Sequence, residues 1–282
     1  MTSPAQKLRA MIAAKKHFIA ADTYSVLTAR IIEKVGFTAG YMGGHACSAF
    51  HYGVPDNGIF SQVEMIEQAG RIAAAVDIPI IADADTLGET VADAFHFARR
   101  YARAGVAGIH VEDEVNPKHS KFQNGLCAIA DMQFRIEAAV RGRGADAMVI
   151  IARCDEMYGP PIGGGGGSFE EAVARGKAYA EAGADVMVYP GTSPAQNAEL
   201  IAALPIPVCV LGPVVPGTAF ALHTGWGWMG AAELHLERAT ELMETGKVTM
   251  TSMFPRKGEF IEQDFYDNLI AEWAGKTGRQ VR

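Results

Sequence analysis

Residues 79–86 read Pro79-Ile80-Ile81-Ala82-Asp83-Ala84-Asp85-Thr86, and residues 108–114 read Gly108-Ile109-His110-Val111-Glu112-Asp113-Glu114. Each is a short apolar run that stops abruptly at acidic residues. A continuous apolar run this short is how a parallel strand buried on both faces reads. The pattern recurs along the chain, at 17–21, 40–42, 79–82, 108–111, 148–152, 185–189 and 208–211. Stretches with helical spacing separate the runs, at 26–35, 63–76, 91–104, 132–140, 169–182 and 195–203. Alternation of this kind predicts parallel strands joined by right-handed helical crossovers. Gly105 and Gly183 stand where helices would exit into strands, a place that needs a left-handed residue. The expected fold class is α/β, a (β/α)8 TIM-type barrel.

Seven strands are legible and the eighth is not. Between Leu211 and Trp228 there is scarcely room for a loop, a helix and a strand, so a shortened connection is expected there. Residues 218–224 read as either a strand or a short helix. A last amphipathic segment, 261–274, follows a looser linker at Pro255-Arg256-Lys257-Gly258. Residues 1–282 are therefore read as one barrel domain, with 259–282 a C-terminal helical extension.

The 282 residues suit one barrel, which typically needs about 250. Net charge −7 and pI near 5.6 argue against nucleic acid as a partner. No apolar run is long enough to span a membrane. The first twenty residues read as an amphipathic helix and not as an export signal. Cys47, Cys127, Cys154 and Cys209 form no CxxC pair and suit reduced thiols in a cytoplasm. The glycine run at 163–167 lacks the Lys-Ser/Thr ending of a phosphate loop and reads as flexible.

In parallel barrels the chemistry sits at the carboxyl ends of the strands. Asp83 and Asp85 follow the third run, and period-two alternation places them on one side of an extended segment. Glu112, Asp113 and Glu114 follow the fourth. Several carboxylates converging on one mouth repel each other unless a cation compensates, and hard oxygen donors suit Mg²⁺, with Mn²⁺ as a substitute. The plain alternative is solvated loop acids and helix caps. Arg153, after the fifth run, offers a fork for a substrate carboxylate or an ion pair with Glu112 or Asp155. Gly43, Gly44 and His45, after the second run, let backbone amides approach an oxyanion.

These residues resemble the isocitrate lyase/phosphoenolpyruvate mutase superfamily from about Leu8 to Leu211. The matching phrases are YSVLTAR at 24–30, YMGG at 41–44, VPD at 54–56, PIIADADT at 79–86, AGVAGIHVED at 104–113, Pro117-Lys118, VIIAR at 149–153 and AYAEAGAD at 178–185. The resemblance implies Mg²⁺-dependent cleavage or formation of C–C or C–P bonds beside a carboxylate, through an enolate. It also implies Asp83 as the direct metal ligand, with Asp56, Asp85 and Glu112 holding metal-bound waters. Arg153 would bind the substrate carboxylate, the amides of Gly44 and His45 its oxygens, and Tyr41 would line the pocket. The family's tetramers, dimers of helix-swapped dimers, imply the same use for 261–274, whose apolar stripe is Ile261, Phe265, Leu269 and Trp273.

The departures concern the reacting end. Where the C–C lyases carry a loop cysteine as general acid, this chain has Pro117-Lys118-His119-Ser120, with Ser120 in the cysteine's place. A hydroxyl is too weak an acid to replace it unaided. His119 is the candidate for proton transfer, or else a plain loop residue. The lyases' Phe-Pro-Glu is here Tyr189-Pro190-Gly191, and their Ala-Asn-Met is Val210-Leu211-Gly212. His45, Phe122, Tyr158, Trp226 and Trp228 are further residues that would crowd the pocket, the two tryptophans reading better as packing. The expected activity is Mg²⁺-dependent C–C lyase or decarboxylase chemistry on a small 2-oxo or 2-hydroxy carboxylate. The alternatives are a C–P bond enzyme and a non-catalytic metal-binding barrel.

Overall fold

A computed structural model describes residues 2–122, 124–145, 147–160, 163–250 and 254–277. Eight parallel strands close into a barrel in chain order. They are β1 (Phe18–Asp22), β2 (Ala39–Met42), β3 (Ile80–Asp83), β4 (Gly108–Glu112), β5 (Val149–Arg153), β6 (Val186–Val188), β7 (Val208–Leu211) and β8 (Phe220–His223). The ambiguous stretch 218–224 is thus a strand. It pairs with β7 through Val210–Ala221 and with β1 through Phe18–Phe220, and so closes the ring. No helix separates β7 from β8, as the short spacing implied.

Four strands, β1, β3, β4 and β5, start and end one residue later than their apolar runs suggested, or simply end one later. Asp22, Asp83, Glu112 and Arg153 still pair in the ladder, Asp22 with Tyr41, Asp83 with His110 and Glu112 with Arg153. The polar residue breaks the hydrophobic pattern but not the hydrogen bonding. Its side chain is therefore held at the mouth by strand geometry and not by a loop.

Alternation sorts the strand side chains into two cores. Phe18, Ala20, Tyr41, Ile81, Ile151 and Leu222 are among those that fill the barrel interior. A second core, including Met65, Ile109, Ile136, Ile150 and Met187, lies between the strands and the helices Gln62–Ala73, Val91–Arg103, Ile129–Gly142 and Phe169–Glu181. An N-terminal helix, Pro4–Ala13, opens on a Ser3–Gln6 capping box. Its fully buried Leu8 joins the interior core. Gly105 and Gly183 take φ of +83° and +100°, as the helix exits require.

The chain divides into two compact units, the first ending at Trp228 and the second starting at Met229. The second contains most of a helix that runs Trp226–Thr245, and all of a helix at Gln263–Thr277. Among the described residues no helix is long and apolar enough to cross a membrane. All four cysteines are free.

Candidate active site

Asp83 ends β3, 3% exposed, and both of its oxygens are held by backbone. Oδ2 accepts the Gly44 amide at 2.9 Å and Oδ1 the Asp85 amide at 3.0 Å. The first contact needs a glycine, because a Cβ on Gly44 would lie 2.8 Å from Oδ2. The Gly44 amide thus serves Asp83 here. Asp85 does not reach the mouth by strand alternation, as its spacing with Asp83 suggested. The chain turns after β3, Asp85 takes φ of +45°, and its amide folds back onto Asp83. An acidic side chain tolerates this left-handed turn because it bonds locally.

Beneath Asp83 lies His110, buried on β4, with Nε2 3.4 Å from Asp83 Oδ1. Tyr41, expected to line the pocket, instead places its hydroxyl 2.5 Å from the same His110 nitrogen. His110 is the period-two neighbour of Glu112 on β4, a signal in the sequence that went unused.

The centre of the acidic set is filled by Lys118. This side chain is completely buried. Its Nζ lies 2.6 Å from Asp85 Oδ1, 2.8 Å from Glu112 Oε1 and 3.5 Å from Asp56 Oδ1. In the sequence Lys118 was legible only as half of a Pro-Lys motif, with no role attached.

Arg153 ends β5 and is paired twice, with Glu112 Oε2 at 3.0 Å and with Asp155 through Nε at 2.9 Å and Nη2 at 2.8 Å. Asp155 is oriented from behind. Its amide donates to Asp113 Oδ1 at 2.9 Å, while Asp113 Oδ2 accepts from Tyr179 at 2.6 Å and Arg175 at 3.2 Å. His119 points inward from the loop after β4. Its Nδ1 lies 3.3 Å from Asp56 Oδ2 and its Nε2 3.2 Å from Arg153 Nη2, with Tyr158 edge-on to the ring.

Ser120 does not join this group. Its Oγ accepts the Phe122 amide at 3.2 Å in an exposed turn. Phe122 and Trp226 are 76% and 56% exposed, so neither crowds the mouth. His45 is exposed with its ring 5.1 Å from that of Trp228. The glycine run, expected to be flexible, is hydrogen-bonded onto the segments after β4 and β5. Gly165 donates to the Tyr158 carbonyl, Gly167 to that of Glu156, and Gly164 to Glu114 Oε1 at 2.7 Å.

The buried charges do not balance. Asp56, Asp83, Asp85 and Glu112 face Lys118 and Arg153, so the set carries excess negative charge. Burial opposes ionisation of Asp56 and Glu112, yet Lys118, with His119 for the first and Arg153 for the second, holds both carboxyls below their usual values. Asp83 is also held low against its burial, by His110 and Lys118. Asp85 is where the surplus settles: burial, with Asp83, Asp56 and Glu112 adding to it, pushes its carboxyl well up. Burial pushes Asp155 up to about 7.

Donors that are all oxygen, with surplus negative charge and an ammonium already at their centre, fit a hard divalent cation. Among the described residues no three His, Cys, Asp or Glu form a ready-made direct ligand cluster.

Residues 8–227 match the family model described as phosphoenolpyruvate phosphomutase. The chain is 37% identical over 185 residues to the 2,3-dimethylmalate lyase of Eubacterium barkeri, covering 65% of this chain and 62% of that protein. It is 35% identical over 187 residues to the phosphonopyruvate hydrolase of Variovorax sp., again covering 65% and 62%. These matches span less than two thirds of either relative's length. A solved structure of oxaloacetate acetylhydrolase with the inhibitor 3,3-difluorooxalacetate superposes with a TM-score of 0.86 at 26% identity, covering 100% of this chain and 99% of that one. With its strand-end acids, its Arg153 and its barrel all accounted for, the chain belongs to the phosphoenolpyruvate phosphomutase family, within the isocitrate lyase/phosphoenolpyruvate mutase superfamily.

Proposed function

We propose that the protein is a Mg²⁺-dependent C–C lyase or decarboxylase that acts on a small 2-oxo or 2-hydroxy carboxylate through an enolate. The observation that carries this reading is the convergence of Asp56, Asp85 and Glu112 on one buried cation position, with Asp83 held on the Asp85 amide beside it and Arg153 paired to Glu112. Asp83 is the candidate direct ligand, and Asp56, Asp85 and Glu112 the candidates for holding its waters. A bound Mg²⁺ supplies a Lewis acid that draws off charge accumulating on the substrate's oxygen. Arg153 presents its guanidinium to the carboxylate end. His119 keeps Nδ1 toward Asp56, and its Nε2, which lies against Arg153 Nη2, is the nitrogen that would carry a proton to or from a substrate bound by Arg153. Lys118, on the loop after β4, balances the acids when no divalent cation does.

The test is product formation from alkylmalates, oxaloacetate and related small 2-oxo and 2-hydroxy acids, monocarboxylates included, measured above the metal-only rate. Release of pyruvate or another 2-oxo acid, lost with EDTA and in Asp83→Ala, is the expected result. Failure of all these acids with Mg²⁺ present would remove the reading.

A second reading, C–P chemistry, is favoured by one observation: the loop carries no cysteine, while its Lys118 stands at the centre of the site. Loss of the phosphonate signal of phosphonopyruvate in phosphorus NMR would establish it. The helix Gln263–Thr277 leaves Phe265, Leu269 and Trp273 about half exposed, which supports assembly into dimers of helix-swapped dimers. Light scattering of the purified chain tests this, and a monomer would rule it out.

A further inference from the structure

The wall of the barrel mouth opposite Arg153 carries a carboxylate that the acidic set does not use. Phe18 and Ala20 of β1 face the barrel interior, and Asp22 is the next residue in that alternation. In the closed order of eight strands, β1 lies across the barrel from β5, where Arg153 sits. Asp22 is 2% exposed. Its Oδ2 accepts the Gly225 amide at 3.1 Å, and Gly227 comes so close that a Cβ there would lie 3.4 Å from it. Its Oδ1 is buried and, among the described residues, meets no donor in hydrogen-bond geometry. The groups that favour its charge are all backbone amides, those of Gly225, Gly227 and Trp228, and no basic side chain is among them. The Cys47 thiol feels Asp83, Asp22 and Asp56 together, which puts Asp22 at the same mouth as the acidic set.

A buried acceptor without a partner is costly, and native proteins rarely leave one unexplained. A ligand's hydroxyl hydrogen satisfies it, whereas a ligand's carboxylate would set two anions against each other in a poorly hydrated site. Of the neighbouring strand ends, β7 ends at Leu211, the residue two beyond the Tyr189 that follows β6 is Gly191, and the His223 that ends β8 falls outside the interior alternation of Phe220 and Leu222.

We infer that Asp22 is a specificity-determining residue that accepts a hydrogen bond from a hydroxyl on the substrate end remote from Arg153. The substrate class is then the 2-oxo and 2-hydroxy monocarboxylates bearing a distal hydroxyl, and not the dicarboxylates. This rests on the oxo-acid reading of the site proposed above. A pocket that pairs a substrate hydroxyl discriminates strongly against analogues that leave its polar group unpaired.

The test compares 2,4-dihydroxybutanoate with malate, which share a carbon skeleton and differ only in hydroxymethyl against carboxylate. Both are titrated calorimetrically with Mg²⁺ present, beside oxalate, which has the head group alone. The wild type is expected to bind the dihydroxy acid at least about tenfold more tightly than malate. In Asp22→Asn the amide nitrogen replaces the free acceptor, so the preference should fall by at least about tenfold or reverse, with oxalate binding unchanged. Equal or tighter binding of malate by the wild type overturns the inference, and that arm needs no variant. So does an unchanged ratio in folded Asp22→Asn. If oxalate with Mg²⁺ does not bind the wild type, the oxo-acid reading falls first and the inference with it.

Discussion

Lys118 Nζ lies 2.6 Å from Asp85 Oδ1, with both side chains almost wholly removed from solvent. An ammonium thus fills the space between Asp56, Asp85 and Glu112, the acids proposed above to hold a metal's waters. Removing one partner of a buried pair typically costs about 3–5 kcal/mol, because the other charge is left uncompensated. Lys118→Met should therefore melt well below the wild type in EDTA. Added Mg²⁺ should raise the variant's Tm by more than the wild type's, since in the variant the ion no longer competes with the lysine. Equal Mg²⁺ responses would show that Lys118 does not share the cation's position.

Among the described residues, His119 is the ionisable ring at the mouth that turns a nitrogen toward Arg153. General acid–base catalysis contributes roughly 10²–10⁴-fold to rate. His119→Asn is expected to lower kcat by about 10²-fold or more, while the Kd for oxalate with Mg²⁺ stays the same. An undiminished kcat would place proton transfer elsewhere. Ser120→Ala, altering a side chain whose hydrogen bond among the described residues is to the Phe122 amide, should leave kcat unchanged.

The barrel and most of the acidic set were legible because both follow from short-range pattern. Apolar runs that stop at Asp83, Glu112 and Arg153 mark strand ends, and strand ends mark the mouth. What alternation could not give was the partner across space. Lys118 sits in a loop whose sequence carries no period, and only its fold shows it beneath Asp56, Asp85 and Glu112. Tyr41 was placed at the right strand end, but its hydroxyl faces His110, a choice made between two strands. Asp22 stands last in its strand, as Asp83 does, but it lies just outside the apolar run 17–21, and no second acid follows it as Asp85 follows Asp83.

Asp113 shows how the site is braced from outside the barrel. Its carboxyl joins the Asp155 amide to Tyr179 and Arg175. Tyr179→Phe removes one donor and leaves a buried acceptor short, a change worth about 1–3 kcal/mol. Urea unfolding should report that loss with oxalate binding preserved, because Arg175 and the Asp155 amide still hold Asp113. A loss of binding without a loss of stability would mean that Tyr179 acts on the site directly.

Gly191 stands where the lyases carry Glu, so restoring that acid looks like a route to their specificity. The backbone forbids it: Gly191 has φ of +77°, and a Cβ would lie 2.4 Å from the Met157 carbonyl oxygen. The left-handed conformation alone costs a side chain about 1–2 kcal/mol. Gly191→Ala and Gly191→Glu should both lower the urea midpoint, the clash adding to that strain. Full stability in Gly191→Ala would show that the segment after β6 shifts freely.

Asp22 also gives stability a pH dependence of defined sign. Burial pushes its carboxyl from 3.8 up to about 6, against the amides of Gly225, Gly227 and Trp228. The folded state therefore binds this proton more tightly than the unfolded chain. The resulting stabilisation is complete below pH 3.8 and is lost as pH rises through about 6. One pKa unit is worth about 1.4 kcal/mol, so the penalty above pH 6 is at most about 3 kcal/mol. The titratable groups that feel this charge, Tyr24, Tyr41 and Cys47, are all driven upward and stay neutral across the range. Asp22→Asn keeps an acceptor for the Gly225 amide and cannot ionise. Its Tm should exceed the wild type's at pH 7.5 and converge with it near pH 4. A difference that does not vary between those two values would mean that Asp22 titrates normally in the fold.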